Sequence, residues 1–210
     1  MNKFSKHKIM NKRNTYKMKI RAIITTSMLL MSFFVISSCS TDETQKVANF
    51  TSLTMFDEFD VDGAPNSTIW NYNIGTGQNG WGNNELQYYT DRTENVTVQN
   101  GVLIITAKKE DFNGSSYTSA RLLTRGKFEQ TYGRYEARIR LPYGKGIWPA
   151  FWLLGDDSGG TEVWPQIGEI DIMEYVGDKP NSMFGTVHGP GYSGGESVSK
   201  AYVLPNDRFD

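Results

Sequence analysis

Residues 168–177 read GEIDIMEYVG, a strand-like run whose alternation of acid and aliphatic breaks halfway. Successive side chains of a strand point to opposite faces, so Glu169 and Asp171 share one face and Ile170 and Ile172 the other. Uninterrupted alternation would set Met173 among the acids and drive Glu174 into the core. A buried, unpaired carboxylate is costly, and a methionine on a polar face gains nothing. A β-bulge at Ile172–Met173 removes both faults: the two apolar side chains turn inward together and Glu174 rejoins Glu169 and Asp171. Three acids on one face repel one another, so at least one must hold its proton more tightly. Such a set suits work on a glycosidic bond, where a retaining hydrolase sets a nucleophilic carboxylate roughly 5–5.5 Å from a protonated acid. Cα atoms four ladder positions apart start about 13 Å apart. The two glutamates must therefore lean together over the shorter Asp171, which would hydrogen-bond the nucleophile and help raise the acid's pKa. An exposed acidic strand edge and a calcium-binding patch fit the same spacing, and the residues alone leave all three open.

The strand has company. From Phe50 onward no segment carries a helical period, and short strand signals alternate with Gly, Asn and Asp clusters. NVTVQN (95–100) and GVLIITAKK (101–109) form a hairpin pair joined at Gln99–Asn100–Gly101, a strong turn signal. In GRYEARIRLP (133–142), Tyr135, Ala137, Ile139 and Leu141 face one way and Arg134, Glu136, Arg138 and Arg140 the other. This alternation predicts a half-buried antiparallel strand. GIWPAFWLLG (146–155), QIGEIDIMEYVG (166–177) and SMFGTVHGPGY (182–192) add three more. Trp152, inside AFWLL, reads as core. The fold class is all-β, a sandwich and not a βα repeat.

GTGQNG (75–80) matches G-x-G-x-x-G, but the phosphate-binding fingerprint needs a helix directly after it, and WGNNELQYY has no helical period. It reads as a surface loop. The chain's 210 residues suffice for one well-buried domain. Its net charge of −1, from 22 basic and 23 acidic residues, gives nucleic acid no basic face to hold. Two histidines, His7 and His188, exclude a multi-histidine metal centre. Sequons at Asn66, Asn95 and Asn113 would matter only in a eukaryotic cell.

The N-terminus carries an address. Lys12, Arg13, Lys17, Lys19 and Arg21 precede the apolar run AIITTSMLLMSFFVISS, which ends at Cys39. This is the charged and apolar layout of a secretory signal. ISSC (36–39) resembles a bacterial lipobox, in which the cysteine becomes the lipid-bearing first residue. The acidic STDET (40–44) resembles the tract of surface-exported lipoproteins. The expected organisation is a signal peptide over 1–38, a tether over 39–49 and a catalytic domain over 50–210. Cys39 then anchors the protein to a bacterial envelope membrane, at the outer membrane, cell surface or periplasm.

GEIDIME, with GIWPAFWLLG some twenty residues before it, resembles glycoside hydrolase family 16, near the bacterial laminarinases. The likeness runs from FDEFD (56–60) to GTVHGPGY (185–192). Its E-x-D-x-x-E form is that of laminarinases, agarases and carrageenases; the lichenase branch has E-x-D-x-E. The resemblance implies a concanavalin A-like jelly-roll β-sandwich whose concave sheet forms the cleft. It implies Glu169 as nucleophile, Asp171 as assisting acid and Glu174 as acid/base, in a retaining endo-β-1,3-glucanase acting on laminarin-type β-glucan. It further implies sugar contacts from Asn84, with Glu85 and Tyr88 beside it, from Arg121 and from His188, and stacking platforms at Trp148 and Trp164. No cofactor is required for the chemistry; DEF (57–59) resembles the start of a structural calcium site with Glu58 and the Gly101 carbonyl as ligands. The expected partner is polysaccharide, the expected state a monomer. A non-catalytic glycan-binding jelly roll and a family 16 agarase or carrageenase are the alternatives. Members of the family continue past LPNDRFD (204–210) with further strands, so a C-terminally incomplete sandwich is expected.

Overall fold

A computed structural model describes residues 49–156 and 163–204. The expected signal peptide, nearly all of the expected tether, and Cys39 lie outside the described residues. Eleven strands are described: β1 Asn71–Asn73, β2 Gln87–Tyr89, β3 Val96–Gln99, β4 Val102–Ile105, β5 Lys108–Phe112, β6 Ser115–Ser119, β7 Arg121–Leu123, β8 Ala150–Leu154, β9 Glu169–Glu174, β10 Ser182–His188 and β11 Val198–Val203. They pair into a four-stranded sheet in the order β11-β10-β9-β8, a three-stranded sheet β2-β6-β5, and the two-stranded pairs β1-β7 and β3-β4. All ladders are antiparallel except β2 with β6.

The β3-β4 hairpin forms as its turn residues dictate. Asn100 and Gly101 take φ of 54° and 74°, the left-handed pair that a two-residue turn needs. Asn113–Gly114 repeats that chemistry, with φ of 47° and 84°, and joins β5 to β6. GVLIITAKK is not one strand: β4 ends at Ile105, and Lys108 begins β5 in a different sheet. Asn95 is fully buried. It donates to the Thr106 carbonyl and Thr118 Oγ1 at 3.0 and 2.9 Å and accepts from Thr90 Oγ1 and Arg92 at 2.6 and 2.8 Å. Every polar group of that side chain is satisfied, which leaves it no role as a glycan acceptor.

One predicted strand is absent. Residues 133–142 pair with no strand among the described residues; of the four side chains expected to face inward, Ala137 and Ile139 are exposed and Tyr135 and Leu141 partly covered. Tyr135 instead donates from its hydroxyl to the Gln130 carbonyl at 2.8 Å, and Arg134 pairs with Glu136 at 2.7 Å. Alternation marks a segment as able to be a strand, but a ladder partner makes it one. The described core gathers on the face of the four-stranded sheet turned away from the acids: Met173, Tyr175 and Leu204, with Leu141, Ile147, Phe151 and Met183 against them.

Candidate active site

The bulge in β9 is visible in both of its ladders. Opposite β10, Asp171 pairs with Thr186 and Glu174 with Phe184, so three steps on β9 match two on β10. Opposite β8, Asp171 pairs with Trp152 and Met173 with Phe151. Ile172 is the residue without a place of its own, and beyond it Glu174 returns to the face of Glu169 and Asp171. Met173 goes into the core at 7% exposure. Ile170, on the same inner face, stays 47% exposed because less packs against that end of the sheet among the described residues.

Each acid has its own partners. Glu169 Oε2 accepts from Trp164 Nε1 at 2.6 Å. Glu174 accepts from Trp148 Nε1 at 3.0 Å on one oxygen and from Thr186 Oγ1 at 2.9 Å on the other. Thr186 Oγ1 also meets Ser199 Oγ at 3.1 Å, so β10 and β11 both support that carboxylate. Asp171, between them, is 5% exposed, and its carboxyl faces His188 Nε2 at 3.1 Å. The Gly194 N–H donates to His188 Nδ1 at 3.1 Å. That nitrogen is thereby an acceptor, and Nε2 carries the ring proton given to Asp171.

Burial pushes Asp171 up from the ordinary 3.8 to about 7; the charges of Glu169 and Glu174 add to the rise, His188 opposes it, and a hydrogen bond with Glu169 reinforces it. At neutral pH Asp171 is thus poised to hold a proton beside Glu169. This is the separation of roles that acid–base chemistry needs: like charges close together cannot all ionise.

The sequence-predicted residues fall into three groups. Glu169, Asp171, Glu174, His188, Trp148 and Trp164 come together. The two indoles, 48% and 43% exposed, both offer a face to solvent and donate to the acids, a second role for which the sequence carries no signal. Arg121 reaches the site by stacking: its guanidinium lies 4.8 Å from the Trp81 ring and 4.7 Å from that of Trp152. Trp152 is therefore not a core residue. Its ladder partner is Asp171, which puts it on the acid face, and alternation from Phe151 would have shown this. Asn84 is exposed at the end of the tight loop Gly80–Asn84, which Trp81 and Arg121 tie to Trp152 of β8, beside the acid strand. Thr186, Ser199, Trp81 and Trp152 were missed.

The structure does not support a calcium site at Glu58 and Gly101. Both are exposed, and no three acidic, histidine or cysteine side chains converge on a metal position among the described residues. Of the neighbouring acids, Asp57 accepts from the Phe59 N–H at 2.9 Å and Trp70 Nε1 at 2.8 Å, and Asp62 from the Asn100 N–H at 2.8 Å. Calcium takes six or more oxygens, and these carboxylates already hold the Phe59 and Asn100 amides and the Trp70 indole.

Comparison with known proteins gives the chain a family. The model of the family described as glycosyl hydrolases family 16 matches residues 83–210. A β-glucanase of Rhodothermus marinus is 47% identical over 84% of this chain. The chain spans 62% of that relative's length. The X-ray structure of the laminarinase from Rhodothermus marinus matches with a TM-score of 0.69 and 49% identity, over 73% of this chain and 62% of that one. The laminarinase catalytic domain from Thermotoga maritima matches with a TM-score of 0.65 and 52% identity, over 72% of this chain and 62% of that one.

Proposed function

The chain belongs to the glycosyl hydrolases of family 16, with their jelly-roll β-sandwich, and from that premise we propose that it is a retaining endo-β-1,3-glucanase acting on laminarin-type glucans. The observation that carries the reading is the bulged β9, which brings Glu169, Asp171 and Glu174 to one face, each hydrogen-bonded to a different partner.

Glu169 attacks the anomeric carbon while Glu174 gives its proton to the departing glycosidic oxygen, so that one C–O bond forms as the other breaks. Glu174, now a carboxylate, takes a proton from water, whose oxygen displaces Glu169 and returns both residues to their starting state. Asp171 holds its proton beside Glu169 and spares the nucleophile a second adjacent charge. Trp164 and Trp148 steady the two glutamates by their Nε1–H groups, and their exposed faces suit the C–H faces of pyranose rings. The chemistry asks for no cofactor.

The basic and apolar leader and the ISSC motif support export and lipid attachment at Cys39, which would hold the enzyme at the bacterial envelope, where polysaccharide is met. Reducing-sugar release from laminarin, compared between the wild type and Glu169→Gln, tests the function. Release by the wild type at least about a thousandfold faster than by the variant is expected, with glucan binding retained in both. Equal release would sink the mechanism; binding without release in the wild type would mean a glycan-binding protein. A panel of β-1,3-, mixed-linkage and galactan oligosaccharides separates the glucanase from an agarase or carrageenase.

A further inference from the structure

The loop that precedes β2 is wound into a conformation it does not hold alone. Asn79, Trp81 and Asn84 have φ of 52°, 56° and 57°. Asparagine enters the left-handed region readily, but a tryptophan there is disfavoured, so Trp81 needs support from its surroundings. Trp81 receives that support on several sides. Gly77 lies against its indole so closely that a Cβ there would stand 2.5 Å from Cδ2. Tyr89 meets the ring at 5.7 Å with a 51° tilt, and its hydroxyl is held by Glu85 at 2.9 Å. The guanidinium of Arg121, from β7, covers it at 4.8 Å and lies 4.7 Å from Trp152. Trp152 in turn is the ladder neighbour of Asp171. A contiguous stack therefore runs from the loop, through one planar cation, to the strand beside the acids.

We propose that Arg121 is a positioning residue whose guanidinium, stacked between Trp81 and Trp152, clamps the 75–84 loop onto the acid-bearing face, and that the clamped loop is a wall against which the glucan chain lies. The inference rests on the glucanase reading for what the wall binds, though not for the clamp. A guanidinium is planar and can stack on two rings at once, whereas the ammonium of lysine is a compact point charge. Released from the clamp, the loop relaxes from its left-handed residues, and substrate loses contacts it has in the ground state and the transition state alike. KM then rises more than kcat falls.

Two measurements on the full chain decide it. Hydrogen exchange reads the loop directly through amides bonded within it: Gly82 to the Gln78 carbonyl at 3.0 Å, Asn84 to Asn79 at 3.1 Å and Glu85 to Gly80 at 3.2 Å. Arg121→Ala and Arg121→Lys should both speed exchange at these amides by about tenfold, and raise KM for β-1,3-glucan oligosaccharides by a similar factor. Trp81→Ala combined with Arg121→Ala should be no worse than Trp81→Ala alone. Rescue by lysine, factors that multiply in the double variant, or unchanged exchange would overturn the clamp and leave Arg121 as an independent sugar contact. Should the wild type cleave no β-1,3-glucan, the functional reading fails, while the exchange measurement still decides the clamp.

Discussion

Asp171 is the acid on which the pH behaviour turns. Its pKa is raised from 3.8 to about 7, chiefly by burial. Between these two values the folded state binds a proton that the unfolded state has released, so stability falls as pH rises through this window. Asp171→Asn removes the titration and retains a hydrogen-bond donor. Its midpoint of thermal unfolding should match the wild type near pH 4 and exceed it above pH 7; a constant offset at both would mean the proton is not held there. The same proton shapes catalysis. Above about pH 7 the wild type gains a second charge beside Glu169 and loses the hydrogen bond between them, so its rate should fall along an alkaline limb near that value. Asp171→Asn, slower throughout, should lack that limb. The three acids were legible as a set because alternation and the aversion of a carboxylate to the core work within one strand. Their donors were not. Trp148 and Trp164 meet Glu174 and Glu169 from loops 26 and 5 residues away in sequence, and no local pattern encodes the angle at which an indole arrives.

At the scale of elements, β9 shows what a register rule decides. Without Met173 the strand would read E-I-D-I-E, in which strict alternation already places both glutamates and the aspartate on one face with no bulge. Deleting Met173 should therefore keep the acids together and remove only a buried side chain, at a stability cost of about 2–4 kcal/mol. Deleting Ile170 instead would set Glu169 and Asp171 on opposite faces. Hydrolysis should survive the first deletion within about tenfold and vanish in the second, with folding of each checked by its unfolding transition. Equal loss in both folded variants would mean that something other than face register aims the acids. Turns were legible where their chemistry is local, as at Asn100–Gly101. Asn113–Gly114 carries the same local signal. The segment 133–142 erred the other way. Its alternation is as regular as that of any strand in the chain, yet a ladder is a property of two segments, and periodicity describes one.

Across the whole molecule, the two faces of the four-stranded sheet differ. The acid face is built of side chains that hold one another by hydrogen bonds. On the opposite face, one cross-strand row joins Leu153, Ile170, Val187 and Val198 in register. Ile170, Val187 and Val198 in that row are exposed large hydrophobics, while the neighbouring Met173 and Tyr175 are buried by Leu204 and Leu141. Among the described residues, the row runs out to β11 at the edge of the sheet. An apolar row reaching an edge is a template for pairing with another copy. The 210-residue chain should therefore scatter light increasingly with concentration, and Val198→Lys, a charge set at the end of the row on the edge strand, should reduce this markedly. Because Val198 lies on the face away from Glu169, Asp171 and Glu174, the same variant should hydrolyse laminarin at the wild-type rate per dissolved chain. Scattering that is concentration-independent in the wild type, or unmoved by the lysine, would show that the row is covered in solution. Loss of hydrolysis with full solubility would show instead that the two faces are coupled through the sheet.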